Sequence, residues 1–191
     1  SLKAAGVEEW IAEKKAAGQI KNVGFSYHGS LPDFKKIIED YSWDFCQIQY
    51  NYAGETYQAG REGLHFASQH GLPVIIMEHL LGGRLATKLP KRAQDEFVKY
   101  SGSEPVEASV SMALRWLWNQ PEVTVVLSGM NEQEQLDSNC KSADLGEADS
   151  FGDKERELFS RVLSIFRESY KIPCTGCSYC TGGCPMGIQI P

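Results

Sequence analysis

The sequence contains no long apolar run and no block of basic residues. No stretch of its 191 residues approaches the roughly 18 consecutive apolar residues that span a membrane, and its first residues lack the basic start and apolar core of a signal peptide. Acidic side chains outnumber basic ones by 25 to 19, and no predicted helix carries a stripe of Lys or Arg. We therefore predict a cytoplasmic globular protein without a membrane or nucleic-acid partner.

Short apolar runs alternate with amphipathic segments along most of the chain. Strands are predicted at about 22–27, 45–50, 73–77 and 123–127, and helices up to Gly18 and at about 31–41, 59–70, 103–120, 133–140 and 154–170. This alternation is typical of parallel βα units. A complete barrel of eight such units needs about 250 residues, so the pattern predicts half of a barrel. A doubly wound open sheet is the alternative fold.

Two further features of the sequence bear on its extent and core. The chain starts at Ser1 within a predicted helix and ends at Pro191 shortly after a cysteine motif, so we expect a fragment of a longer chain. The longest predicted helix places Val106, Val110 and Leu114 on one stripe, which we expect to be buried.

Four of the six cysteines form a compact run near the end of the chain. The run reads Cys174-Thr-Gly-Cys177-Ser-Tyr-Cys180-Thr-Gly-Gly-Cys184-Pro185. This C-x2-C-x2-C-x3-C-P spacing is that of the bacterial ferredoxin run. No charged side chain occurs over 172–191, as suits an anionic cluster held by thiolates and backbone amides. We predict a [4Fe–4S] site with Cys174, Cys177, Cys180 and Cys184 as ligands.

Other interpretations of the cysteines stay open. A zinc site usually separates its two cysteine pairs by a longer stretch, and disulfides at this spacing would have to close very short loops. In two-cluster ferredoxins the fourth cysteine of such a run ligates the other cluster. Because this sequence contains one run, either Cys184 completes a single cluster or a second run lies beyond residue 191. Cys46 and Cys140 are predicted to be ordinary buried thiols.

Polar and aromatic side chains follow the predicted strands. They are Ser26-Tyr27-His28, residues 47–51, Glu78-His79 and Ser128-Gly129-Met130. In barrels of βα units the chemistry lies at the C-terminal ends of the strands, and these groups suit a ligand with amide and phosphate groups. Tyr27 and Tyr50 are interpreted as pocket walls rather than acids, because no lysine or similar neighbour is evident to activate them.

Four segments together with the cysteine run resemble the C-terminal half of iron–sulfur-containing aldo/keto reductases. The segments are KNVGFSYHG, WDFCQIQYNY, GLPVIIMEHLLGGRLA and VLSGMNEQEQLDSN. The resemblance implies an α/β fold, the C-terminal half (strands 5–8) of a TIM (β/α)8 barrel, followed by a helix and a ferredoxin-like Fe–S segment. The barrel half would occupy 1–145, a linker and amphipathic helix 146–171, and the 4Fe–4S segment 172–191.

The resemblance also implies the residues that bind a nicotinamide cofactor. By position in the family, Ser26 and Gln47 hold the nicotinamide carboxamide, and the loop 79–85, with Leu80, Gly82 and Gly83, covers the pyrophosphate. The residues matching the adenosine end are Gly129, Met130, Gln135 and Asn139. Family members often have proline at the position of His79, and those that favour the 2′-phosphate commonly have arginine at that of Gln135. The choice between NADPH and NADH therefore stays open.

No catalytic residue is expected in this chain, because the family's Asp, Tyr, Lys and His belong to the first four strands. His28 is the remaining candidate, either for substrate contact or for a supporting position behind the site. The implied function is that of an aldo/keto reductase, an oxidoreductase that transfers hydride between NAD(P)H and a small-molecule carbonyl, as part of a longer chain. Its 4Fe–4S cluster would serve an electron-transfer partner. The alternative is a non-catalytic electron-transfer or interaction module that retains the barrel scaffold and the cluster.

Overall fold

A computed structural model describes residues 6–169, so the cysteine run and its predicted cluster lie outside the described residues. The strands are β1 (Gly24–Tyr27), β2 (Phe45–Gln49), β3 (Val74–Met77) and β4 (Val123–Val126). The helices are α1 (Val7–Ala16), α2 (Leu31–Asp40), α3 (Gly60–Gln69), α4 (Lys91–Ser101), α5 (Pro105–Trp118), α6 (Gln133–Asp144) and α7 (Asp153–Ser169).

The four strands form one parallel sheet in the order β1-β2-β3-β4. Each strand therefore pairs with the strand that precedes it in the chain. Right-handed crossovers that always advance in the same direction place their helices on one face of the sheet. A doubly wound sheet needs a reversal of strand order, which the described sheet does not contain, so the alternative fold is wrong. The predicted parallel βα architecture is confirmed.

The helix-covered face of the sheet forms the first core cluster. Ile48, Val74 and Ile76 are fully buried there, packed with Phe34 of α2 and Leu64 of α3. Ser30 caps α2, because its hydroxyl accepts a hydrogen bond from the Asp33 amide, as the sequence predicts.

A second core cluster joins α4, α5 and α7. Its centre is aromatic: Tyr52 packs edge-on against Phe97 and Phe159, with ring centroids 6.3 and 5.1 Å away. Helix α4 was not predicted from the sequence. Only Ala93 and Phe97 of its 11 residues are buried, so its apolar stripe is too narrow to stand out from a loop pattern.

The other face of the sheet is largely uncovered in the described part of the chain. Side chains on this open face alternate with the core residues and include Phe45, Ile75 and Val125, of which Val125 is 42% exposed. Leu127, just beyond β4, is 45% exposed. In a closed barrel, side chains on this face of the strands pack together in the interior, so the predicted half of a barrel would leave such a surface uncovered.

Two sequence predictions about burial are wrong. Val106, in the first turn of α5, is 41% exposed. Cys140 is exposed on α6, whereas Cys46 is buried in β2 as predicted, and burial raises the pKa of its thiol to about 12. Within residues 6–169, no helix is long and apolar enough to cross a membrane.

Truncating Leu64 should strongly destabilise the fold. Leu64 is fully buried between α3 and the sheet, so Leu64→Ala should lower the free energy of unfolding by about 2–5 kcal/mol. The matched control is Leu145→Ala, since Leu145 is 61% exposed and its truncation should change stability by less than about 0.5 kcal/mol. Urea denaturation measures both, and equal losses would contradict this packing.

Candidate functional site

A cavity of about 600 Å³ opens at the C-terminal ends of β3 and β4. Its walls are the loop between β3 and α4, the residues after β4, and the first turns of α5 and α6. Side chains and backbone from these four segments converge here because parallel strands end at the same edge of the sheet. The lining includes Leu80, Gly82, Gly83, Thr87, Val110, Ser128, Gly129, Met130, Gln135, Ser138 and Asn139.

Glycines leave room for close approach to the backbone in this cavity. Gly82 and Gly83 have positive φ angles of 61° and 84°, a conformation that favours glycine. A Cβ atom added to Gly82 or to Gly129 would meet nothing within 4 Å. The backbone is thus open at both walls, as a ligand that binds main-chain amides requires.

Two helices begin at the cavity. Val106 and Glu107 lie in the first turn of α5, and Glu134 and Gln135 in the first turn of α6. Neither helix has a side-chain hydrogen bond at its N-cap. Free amides and the positive end of the helix dipole favour an anionic group at such an end.

Polar side chains of α6 organise the wall opposite the glycine loop. Gln135 accepts a hydrogen bond from the Asn131 amide through Oε1 at 3.0 Å. Asn139 donates through Nδ2 to the hydroxyl of Ser128 at 3.0 Å. These bonds hold the segment after β4 against α6.

The titratable groups of the cavity are acidic or neutral. Glu78, Glu107 and Glu134 line it, and no Lys or Arg does so within the described residues. His79 is 5% exposed, and burial lowers the pKa of its imidazole to about 4. A hydrogen bond with the backbone of Leu127 has the opposite, smaller effect on this pKa. The imidazole is therefore neutral at pH 7 and adds no positive charge.

Ser26, Gln47 and Met77 meet on the open face of the sheet, beside the cavity. The Nε2 atom of Gln47 lies 3.2 Å from the sulfur of Met77 and 3.5 Å from the hydroxyl of Ser26. The thioether is a weak hydrogen-bond acceptor, so a ligand amide could replace it at little cost. Glu78, which follows Met77 directly, lines the cavity.

His28 lies at the same edge of the sheet, next to two residues whose backbone φ angles are positive. Its Nδ1 atom is 3.2 Å from Oε1 of Gln58, and its Nε2 atom is 3.9 Å from a carboxylate oxygen of Glu78. Gln58 and Glu78 both have positive φ, 57° and 54°. Strained non-glycine residues of this kind concentrate at functional sites.

The interpretation of two tyrosines as pocket walls is wrong. Tyr50 points into the helix-side core, where its hydroxyl donates to Oε1 of Gln120 at 2.9 Å and burial raises its pKa to about 12. Tyr27 also packs on the helix side, and its hydroxyl donates to the carbonyl oxygen of Ser30. Strand alternation places both opposite Ser26 and Gln47.

The structure brings most of the predicted site residues to one cavity. Leu80, Gly82, Gly83, Gly129, Met130, Gln135 and Asn139 line it, whereas Ser26 and Gln47 lie outside it on the open face of the sheet. Glu107 and Glu134 were not predicted to line the site, because their pattern is that of ordinary first-turn helix residues. Within residues 6–169, no group of three or more His, Cys, Asp or Glu side chains is placed to hold a metal ion.

Comparisons with known proteins bear on the family and the fold. The Aldo/keto reductase family matches residues 7–150. The solved structures of aldo-keto reductase AKR11C1 from Bacillus halodurans, in holo and apo forms, each resemble the chain with a TM-score of 0.59 at 17% sequence identity. Each match covers 79% of this chain but 53% of the holo and 54% of the apo structure, so the chain spans about half their length. No curated protein matches the sequence significantly.

Proposed function

This chain belongs to the aldo/keto reductase family, and from that premise we propose that it is the C-terminal, cofactor-binding half of a reductase barrel. The observation that carries the proposal is the cavity at the ends of β3 and β4, which joins an open glycine backbone to two uncapped helix starts. The other half would supply four more βα units. The uncovered apolar face of the sheet and the half-length match to solved reductases support that division.

NAD(P)H is the cofactor that we propose for the site. When bound, its nicotinamide supplies the hydride that reduces a small-molecule carbonyl. Gly82 and Gly83 would contact the diphosphate through the backbone. Gly129, Met130, Gln135 and Asn139 would bind the adenosine end.

Ser26 and Gln47 would orient the nicotinamide carboxamide. A hydroxyl and a side-chain amide can each donate and accept hydrogen bonds. They can therefore pair with both the NH2 group and the carbonyl oxygen of a carboxamide. Their contacts with Met77 hold both side chains on the open face of the sheet, next to the mouth of the cavity. This half would thus position both ends of the cofactor.

His28 is proposed to support the substrate side of this site rather than to transfer a proton. It lies within two residues of Ser26, and Gln58 and Glu78 hold its ring at the sheet edge. The acid that protonates the substrate oxygen would come from the other half of the barrel.

We further propose that Cys174, Cys177, Cys180 and Cys184 hold a [4Fe–4S] cluster. These residues lie outside the described part of the chain, and the proposal rests on the donor set: four thiolates at ferredoxin spacing in an uncharged segment. When bound, such a cluster supplies single electrons, and a carrier protein would be the partner.

Replacing Gln47 should weaken the binding of the nicotinamide end alone. Gln47→Ala removes one hydrogen-bonding group, so NADH should bind about three- to tenfold more weakly. The affinity for ADP-ribose, which lacks nicotinamide, should not change. Quenching of tryptophan fluorescence measures both ligands.

The control for that experiment is Gln69→Ala, because Gln69 is an exposed residue at the end of α3, remote from the cavity lining. It should bind both ligands like the unmodified protein. Equal weakening of NADH and ADP-ribose by Gln47→Ala would contradict the carboxamide role, and absence of binding by either ligand to the unmodified protein would contradict the proposed function.

A further inference from the structure

Gln49, the last residue of β2, has a buried side-chain amide without a hydrogen-bond partner. The residue is 1% exposed, and within residues 6–169 neither its Nε2 nor its Oε1 atom has a partner. A buried polar group that is left unpaired lowers the stability of a fold, whereas an apolar side chain of similar size does not. Such groups are few in native proteins and require an explanation. The amide is therefore a candidate for a binding role.

Gln49 lies on the same face of the sheet as Gln47. Ile48 and Tyr50 belong to the helix-side core, so alternation along β2 places Gln47 and Gln49 on the open face. With a rise of about 3.3 Å per residue, Gln49 lies about 7 Å closer to the end of β2. Met77, whose sulfur contacts Gln47, pairs with Gln49 on β3. Because the chemistry of βα barrels lies at the strand ends, the Gln49 amide is on the substrate side of the proposed carboxamide site.

A segment after β2, residues 53–58, covers this amide, and we call it the strap. A Cβ atom added to Gly54 of the strap would lie 3.8 Å from Nε2 of Gln49 and 3.6 Å from Cβ of Tyr57. The strap thus lies directly against the amide. Because Gln49 is almost inaccessible in this arrangement, a ligand reaches the amide only when the strap moves.

Polar contacts hold both ends of the strap. The amide of Ala53 donates to Oδ1 of Asn51 at 3.1 Å, and Oε1 of Gln58 lies 3.2 Å from Nδ1 of His28. Gln58 has a φ of 57°, which is unfavourable for a residue with a side chain, so this end of the strap is strained. None of residues 53–58 is fully buried. Displacement of the strap therefore relieves strain at Gln58 and removes no fully buried side chain of its own from the core.

We propose that Gln49 is a specificity-determining residue that binds a hydroxyl group beside the substrate carbonyl once the strap has moved. The inference rests on the proposed function, because it assumes that a carbonyl is reduced next to Gln47. A hydroxyl group donates one hydrogen bond and accepts others, so it can pair with Oε1 and Nε2 of the amide at the same time. An alkyl group in its place leaves both atoms unpaired, and sites built for a hydroxyl discriminate strongly against such analogues. The substrate class is a carbonyl compound with an adjacent hydroxyl, such as a 2-hydroxy aldehyde.

Unfolding in urea tests whether the amide is unpaired. Gln49→Leu keeps the approximate size of the side chain and removes both polar atoms, so the unfolding equilibrium constant of the full-length protein should fall at least about fivefold. Gln120→Leu is the matched control. Gln120 accepts a hydrogen bond from the Tyr50 hydroxyl at 2.9 Å and donates one to the backbone oxygen of Trp116 at 3.1 Å, so its replacement should raise that constant. A rise for Gln49→Leu as well overturns the inference, because it shows that water already pairs the amide.

Steady-state reduction of glycolaldehyde and propionaldehyde by the full-length protein with NADH tests the specificity. The two aldehydes have equal numbers of heavy atoms, and a hydroxyl in one replaces a methyl group in the other. Gln49→Leu should lower the ratio of kcat/KM for glycolaldehyde to that for propionaldehyde at least about tenfold, chiefly through slower reduction of glycolaldehyde. Hydration of the aldehydes is the same in both assays, so it cancels in this change of ratio. Gln120→Leu, whose site lies on the helix side of the sheet, should leave the ratio unchanged.

The outcomes separate the inference from the function on which it rests. An unchanged ratio in Gln49→Leu, or an equal change in both variants, overturns the role of Gln49 while the reductase function stands. Failure of the unmodified protein to reduce either aldehyde overturns the proposed function itself.

Discussion

Residues 1–191 alone should reduce small aldehydes and quinones at least about 100-fold more slowly than the same chain extended by the other half of the barrel. Hydride transfer leaves charge on the carbonyl oxygen, and a positioned acid that protonates it contributes about 10²–10⁴ in rate. Neither tyrosine at the strand ends can act as this acid, because Tyr27 and Tyr50 both point into the helix-side core.

Steady-state assays with NADH and the intact cluster compare the two proteins. The extended protein carries four additional βα units upstream of Ser1. Gln47→Ala in the extended protein is a control for cofactor positioning, because it should weaken NADH binding without removing the acid.

Comparable turnover by the two proteins would place the catalytic acid in this half. His28 and Glu78 would then be the first residues to replace, since they are the titratable pair at the mouth of the site. Absence of turnover in both proteins, with a cluster that accepts and donates electrons, would favour the alternative function of a non-catalytic electron-transfer module.

Cys177→Ser should abolish the iron–sulfur cluster completely. Soft thiolate ligands select Fe–S clusters, and a serine hydroxyl is a poor replacement. Protein purified without oxygen should be brown and contain iron and acid-labile sulfide, and the variant should contain neither. Iron near about four atoms per chain indicates that Cys184 completes one cluster, whereas about eight in a longer chain indicates a second cysteine run beyond residue 191.

Two other cysteines provide controls for that experiment. Cys140→Ser changes an exposed thiol, and Cys46→Ser changes a buried one. Both variants should keep the cluster if the protein folds, and Cys140→Ser does so without disturbing packing. Stoichiometric zinc without sulfide in the unmodified protein would show that the cysteine run is a zinc site.

Apolar periodicity was sufficient to predict the strands of the sheet but not every helix of the chain. The Val- and Ile-rich strands are short, buried and bounded by turns, so their positions follow from the sequence within a few residues. Helix α4 has only two buried residues, Ala93 and Phe97, so few apolar positions mark it in the sequence. Val106 carried a misleading signal, because an apolar residue in the first turn of a helix can extend past the layer that the helix covers.

The cofactor residues were predicted from resemblance, whereas the charge of their surroundings depends on tertiary structure. Gly82 and Gln135 are separated by more than 50 residues, and their segments form one cavity because β3 and β4 end together. Glu107 and Glu134 join them only because α5 and α6 begin at the same edge. No pattern of neighbouring residues in the sequence predicts that these distant segments meet.

The pairing of each strand with its predecessor also bears on how the chain acquires its structure. Contacts between neighbouring βα units close smaller loops than a pairing of β1 with β4 would, so each step loses less entropy than such a pairing. During translation each new strand follows the strand with which it pairs, so the sheet can extend in one direction from β1 to β4. Residues 6–169 can therefore assemble in the order in which they are translated.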